Sequence, residues 1–191
     1  MSDTPSPRVL HLLMAGVEEL EAIAPIDLLR RAGATVVVAA VGPDRIVTGR
    51  NAIALTADTR LADLSTDERW DLVVLPGGPG VKHLRADPAV RDLVRRQAES
   101  GRLLAAICAA PTVLLDCGVL AGRRYTAHFS VATELPQIAT DSAVVRDGNI
   151  VTSRGAGTAI EFGLALVEAT YGRETAEKVA EAVCWSHSLP R

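Results

Sequence analysis

Short apolar runs alternate with amphipathic stretches along almost the whole chain, and the alternation predicts strands and helices in turn. Residues 8–15 (RVLHLLMA) form the first apolar run and end at Gly16, and residues 21–31 then repeat with helical period and stop at Gly33. Residues 34–41 (ATVVVAAV), bounded by Gly33 and Gly42-Pro43, predict a buried strand, as do 71–75 (DLVVL) and 103–107 (LLAAI). These runs are continuous rather than alternating, the pattern of parallel strands covered on both faces. Between them Asp87-Pro88 supplies an N-cap and a proline at the first helical position for a helix over 89–100, ended by Gly101. Residues 109–115 are expected to continue as helix directly from the strand before them, with Pro111 tolerated in the first turn. Residues 45–55 predict a polar-edged strand or hairpin and 61–64 a connecting turn. Residues 144–152 predict an antiparallel hairpin around Asp147-Gly148, and 158–170 and 174–185 the last helices.

Strands alternating with helices of this length predict an α/β three-layer sandwich, with a mostly parallel sheet and an added hairpin. At 191 residues and 48% hydrophobic content, one domain over residues 8–191 is expected, preceded by a flexible polar, proline-rich tail at 1–7. That start is unlike a signal peptide and no apolar run reaches the length of a membrane span, so a cytoplasmic location without a membrane partner is expected. A net charge of −3 with scattered Lys and Arg argues against a nucleic-acid partner. The three cysteines fit neither a zinc pattern nor a C-x-x-C pair, so no metal site is expected.

Two segments carry candidate chemistry. Pro76-Gly77-Gly78-Pro79-Gly80 follows a strand and permits a backbone excursion that side chains would forbid. Cys108 lies on the junction between a strand and a helix, where ligands of open α/β sheets bind and where a strained turn presents a nucleophile. Unpaired backbone N–H groups and the positive end of a helix would favour its thiolate. Cys117 and Cys184 read as small buried hydrophobes. His11, His83 and His187 read as satisfied or surface histidines. Glu18 and Glu19 suit the start of a helix, Asp27 reads as a buried structural or interface acid, and Arg154 is a candidate partner for a carboxylate or a substrate anion.

The series Ala15-Gly16-Val17-Glu18-Glu19-Leu20-Glu21, Val74-Leu75-Pro76-Gly77-Gly78, Ala105-Ala106-Ile107-Cys108-Ala109-Ala110-Pro111-Thr112 and Thr152-Ser153-Arg154-Gly155-Ala156-Gly157-Thr158, in that order, resembles the ThiJ/PfpI superfamily in its deglycase and glyoxalase branch. The resemblance implies a flavodoxin-like (Rossmann-like) sandwich and a homodimer. It implies Cys108 as nucleophile, Glu21 as the carboxyl contacting its sulfur, His128 nearby, and the backbone N–H groups of Gly78 and Ala109 as an oxyanion site, with Gly77 beside the substrate. The implied activity needs no cofactor: a glyoxalase or deglycase acting on methylglyoxal-type dicarbonyls or glycated adducts and releasing a hydroxy acid such as lactate. Three departures from the family pattern bear on this reading. Ala109 stands where the peptidase branch has histidine, no later histidine and glutamate pair completes an amidotransferase triad, and Phe129 stands where the family commonly has proline. An appended DNA-binding domain is not expected in a chain of this length. The competing reading is a redox-responsive or chaperone-like protein in which Cys108 is a sensor.

Overall fold

The computed structural model describes residues 6–187, so residues 1–5 of the expected tail lie outside the described residues. β1 (Arg8–Met14) leads into α1 (Glu19–Arg31), and β2 (Thr35–Val41) returns parallel to β1 in register from Arg8 opposite Thr35 to Met14 opposite Val41. The expected hairpin at 45–55 forms as β3 (Ile46–Thr48) and β4 (Ala54–Thr56), an antiparallel pair apart from the main sheet. β5 (Thr59–Arg60) then edges β2. The chain continues through β6 (Leu72–Leu75), α2 (Val81–Ala86), α3 (Pro88–Glu99), β7 (Leu103–Ile107) and α4 (Pro111–Asp116). It ends in β8 (Val144–Asp147), β9 (Ile150–Ser153), α5 (Ala159–Tyr171) and α6 (Arg173–Ala182).

Among the described residues the main sheet has seven strands in the order β5-β2-β1-β6-β7-β9-β8. Its strands pair in parallel except β8 with β9, the antiparallel addition that the Asp147-Gly148 turn predicts. α1 packs on α5 and α5 on α6, while α2, α3 and α4 pack together. Helices therefore cover both faces, and the continuous apolar strands β6 and β7 are buried accordingly. Asp87 caps α3 through its side chain, which accepts the Ala89 N–H at 2.8 Å. Two elements were not legible in the sequence: β5, of two residues, and α2, whose six residues are too few to display a helical period. Asp27 is exposed on α1 and bonds Arg31 at 2.7 Å, which corrects its expectation as a buried acid. No helix among the described residues is long and apolar enough to cross a membrane.

Strand order reverses between β1 and β6, and the carboxyl ends of β1, β6, β7 and β9 open on the same edge of the sheet, where doubly wound folds bind ligands. Beneath them His11 is fully buried in β1, with Nδ1 3.0 Å from the Leu12 carbonyl and Nε2 without a partner. This differs from the expected satisfied or surface histidine. Burial, only partly offset by Leu12 and reinforced by the Arg30 charge, pushes its pKa from 6.5 down to about 4. Because the folded-state value lies below the unfolded one, the unfolded chain binds the extra proton. The stability of the neutral form is complete above pH 6.5 and drains as pH falls towards 4, by roughly 3 kcal/mol. Urea unfolding at the two ends of this window should show His11→Leu losing about that much less than wild type on acidification. Equal losses would place the acid sensitivity elsewhere.

Candidate active site

β7 delivers Cys108 in a left-handed conformation, φ 64°, which costs a non-glycine residue of order 1–3 kcal/mol. Two backbone bonds hold it there: its N–H donates to the Ser153 carbonyl at the end of β9 (2.9 Å), and its carbonyl accepts the His128 N–H (2.9 Å). The loop that brings His128 is itself fixed, since Thr126 N–H donates to Thr152 Oγ1 at 2.9 Å and Thr126 Oγ1 donates to the Ala139 carbonyl at 2.7 Å.

The glycine loop after β6 supplies the opposite wall. Gly77 N–H donates to Glu21 Oε2 at 2.9 Å, and a Cβ at Gly77 would fall on that same carboxylate oxygen and within 2.5 Å of Cys108 Cβ. Only glycine lets the Glu21 carboxyl and Cys108 come together there. Gly78 takes φ 101°, a backbone conformation that side chains rarely adopt, and turns its amide towards the sulfur. Glu21 is 1% exposed, on the first turn of α1, and Glu18 caps that helix by accepting the Glu21 N–H at 2.9 Å.

Glu21, Glu18, Gly78, Cys108, Ala109 and His128 line one cleft of about 330 Å³. Gly77 sits behind the carboxyl rather than in the cleft, and the Arg154 guanidinium turns to the Thr140 carbonyl (3.4 Å) and does not line it. Two lining residues were missed in the sequence, Arg50 and Ser130. Arg50 is brought in by contacts of long sequence separation: Glu19 accepts Asn51 N–H at 2.7 Å and Asn51 Nδ2 at 2.9 Å, and Arg50 N–H donates to the Val17 carbonyl at 2.8 Å. Glu18 and Glu19 are thus buried at 6% exposure each, and they build the site rather than merely suiting a helix start.

The electrostatics correct the expectation of a thiol favoured by a helix. α4 begins only at Pro111 and is six residues long, so Cys108 gains two backbone amides, Gly78 and Ala109, and little more. Burial, the Glu21 charge and the Glu21 hydrogen bond outweigh them and push the thiol up to about 12. Burial likewise raises Glu21 to about 7, with the Glu18 charge adding to it while Cys108, Gly77 and the Arg50 charge oppose it. Two of the three causes that raise the thiol are Glu21 itself. A proton on Glu21 removes the repulsion and turns the carboxyl into a donor to sulfur, so ionisation of either group raises the other and the two titrate as a pair. The other cysteines also depart from expectation: Cys117 is half-buried, with Sγ 3.8 Å from the Arg91 carbonyl, and Cys184 is exposed. No cluster of His, Cys, Asp and Glu among the described residues could hold a metal ion.

Comparison with known proteins identifies the family and the fold. The model of the DJ-1/PfpI family matches residues 7–169. Protein dj-1beta of Drosophila melanogaster is 41% identical over 182 residues, covering 93% of this chain and 97% of the relative. The crystal structure of Drosophila melanogaster DJ-1beta superposes with a TM-score of 0.91 at 40% identity, over 96% of this chain and 100% of the other. The glutathione-independent glyoxalase DJR-1.2 of Caenorhabditis elegans is 34% identical over 171 residues, 87% of this chain and 90% of that one. With its flavodoxin-like sheet, its strained cysteine after β7 and its glutamate held by the glycine loop, the chain belongs to the DJ-1/PfpI family.

Proposed function

We propose that the protein is a cofactor-independent glyoxalase that converts methylglyoxal-type dicarbonyls into hydroxy acids through Cys108, the same cleft admitting glycated adducts of such carbonyls. The observation that carries this reading is the pairing of Glu21 with Cys108 at the wall of an open cleft, two groups that share one proton above a pH of about 7. The glyoxalase relative supports the substrate class. In the one-proton state the thiolate attacks the aldehyde carbon of methylglyoxal and the carbonyl oxygen takes the proton of Glu21, giving a neutral hemithioacetal and a carboxylate. Glu21 then removes the proton from the former aldehyde carbon, the electron pair moves to form an enediolate, and the acid returns the proton to the adjacent carbon while the hydroxyl proton on the first oxygen passes to the second. The product is a thioester of lactate, an internal redox exchange that needs no external oxidant. Water cleaves the thioester, releasing lactate and one proton to solvent and restoring the shared proton. The amides of Gly78 and Ala109, aimed at the sulfur, are placed to stabilise oxyanions formed on the attacked carbon. The test is formation of lactate from methylglyoxal without glutathione by wild type and Cys108→Ser. Absence of lactate from wild type would overturn the reading.

A homodimer belongs to the same proposal. Leu20 (60% exposed) and Ile23 (46%) on α1 and Ile160 (44%) on the α5 helix packed beside it present large apolar side chains to solvent, next to the β3–β4 hairpin that carries Ile53. A second copy of the chain would cover them. Light scattering should give twice the chain mass of 20.1 kDa for wild type and a single chain mass for Leu20→Glu combined with Ile23→Glu. A monomeric wild type at micromolar concentration would rule the dimer out.

A further inference from the structure

His128 lies at the mouth of the cleft, and the hydrogen bonds of its ring decide what it can do there. Ser130 N–H donates to His128 Nδ1 at 3.2 Å, and Ser130 Oγ lies 2.8 Å from the same nitrogen. The histidine side chain thereby caps a 3-10 turn over Phe129–Val131, the role usually taken by Ser, Thr, Asp or Asn. A backbone amide has a hydrogen and no lone pair, so its partner must be a bare acceptor. A proton on Nδ1 would set two donors face to face. The neutral ring must then carry its hydrogen on Nε2. That nitrogen has no protein partner among the described residues, and the ring borders the cleft beside Gly155, where an added Cβ would stand 3.3 Å from His128 Cδ2 and 3.8 Å from Glu21 Oε1. The Phe129 ring lies against the His128 ring, tilted by 34° with centroids 4.1 Å apart, and the carbonyl of Cys108 accepts the His128 N–H.

From this geometry we infer that Ser130 is a positioning residue that locks His128 as the Nε2–H tautomer, so that His128 serves the cleft as a hydrogen-bond donor to a substrate oxygen and not as a base. The inference rests on the reaction proposed above and divides its labour. Glu21 alone moves protons between carbons, while His128 Nε2–H meets the negative charge that develops on the second oxygen of the dicarbonyl when the enediolate forms. No proton leaves His128 in that step, because the hydroxyl proton on the first oxygen passes to the second as the thioester forms. The division suits a site in which Glu21 and Cys108 already share a mobile proton, since a second base beside them would compete for it. The Ser130 hydroxyl adds a second donor to Nδ1, and its loss leaves the amide in place.

Two measurements test this, one independent of turnover. Long-range proton–nitrogen correlation spectra of protein labelled with nitrogen-15 histidine, recorded where the ring is neutral, should show His128 Nε2 protonated and Nδ1 bare. Ser130→Ala should keep that pattern because the amide remains. A protonated Nδ1 in wild type would overturn the inference whatever the activity. In kinetics, His128→Gln places an amide N–H near the position of Nε2, and His128→Asn keeps the capping acceptor but falls short of the substrate. His128→Gln should stay within about tenfold of wild-type kcat, and His128→Asn should lose about a hundredfold, the cost of one oxyanion donor. Equal loss in both, with the fold retained, would overturn the donor role and favour a base. A wild type without turnover would refute the glyoxalase reading while the spectrum still decides the tautomer.

Discussion

Cys108→Ser is expected to lower lactate formation from methylglyoxal by at least about a thousandfold, with the melting transition little changed. The chemistry explains the size of the effect. A serine hydroxyl ionises far above any value that Glu21, at about 7, could drive by taking its proton, so the pair could no longer exchange a single proton between its members. The fold should tolerate the change because the strained backbone at φ 64° is held by bonds from main-chain atoms, to Ser153 and from His128, that serine retains. Cys117→Ser and Cys184→Ser are the controls. Both residues lie away from the cleft, and both variants should turn over as wild type does. Lactate formation that persists in Cys108→Ser and disappears in either control would remove the nucleophile from the mechanism. Alkylation alone is a poorer test, because exposed Cys184 competes with a Cys108 that is only partly accessible.

The parts of this protein that were legible in its sequence are those in which neighbouring residues decide one another. Continuous apolar runs mark β6 and β7 because burial on both faces leaves no polar position, and Asp87-Pro88 marks the start of α3 because capping is local. Cys108 is legible for the same reason: strand, turn and helix meet within five residues of it. What was not legible depends on contacts between distant segments. Arg50 sits in an exposed loop of no distinctive composition, and the clasp of Asn51 by Glu19, 32 positions away, together with the Arg50 N–H bond to the Val17 carbonyl brings it to the cleft. The high thiol pKa belongs to this group too, since it arises from burial in the folded site and from a carboxyl 87 positions earlier in the chain. Glu18, Glu19 and Glu21 could be told apart only by the resemblance, because composition makes them alike. The structure separates them by partner: the α1 cap, the hairpin, and the sulfur with the Gly77 amide.

Glu21→Gln should divide two properties that are joined in the wild type. The amide can still accept the Gly77 N–H and donate to the sulfur, but it cannot carry a proton from one substrate carbon to the next, so kcat should fall by about 10²–10⁴. The same change removes the carboxylate charge that raises Cys108, so the fraction of thiolate at pH 8 should be no smaller than in wild type. Cys108 should therefore alkylate at least as fast in a nearly inactive enzyme. Wild-type kcat/KM should rise with pH through about 7, where the pair passes from two protons to one, and then level off; the variant should lack this step. Stability offers a control against simple misfolding. The folded-state pKa of Glu21 lies above its unfolded value of 4.5, so the wild type loses stability as pH rises from 4.5 through about 7, and the neutral amide is spared that loss. At pH 8 the variant should thus be no less stable than wild type. Slower alkylation of Cys108 together with normal turnover would show that Glu21 serves only to hold the sulfur, and the proton shuttle would have to be sought in Glu18, the other buried carboxyl that lines the cleft.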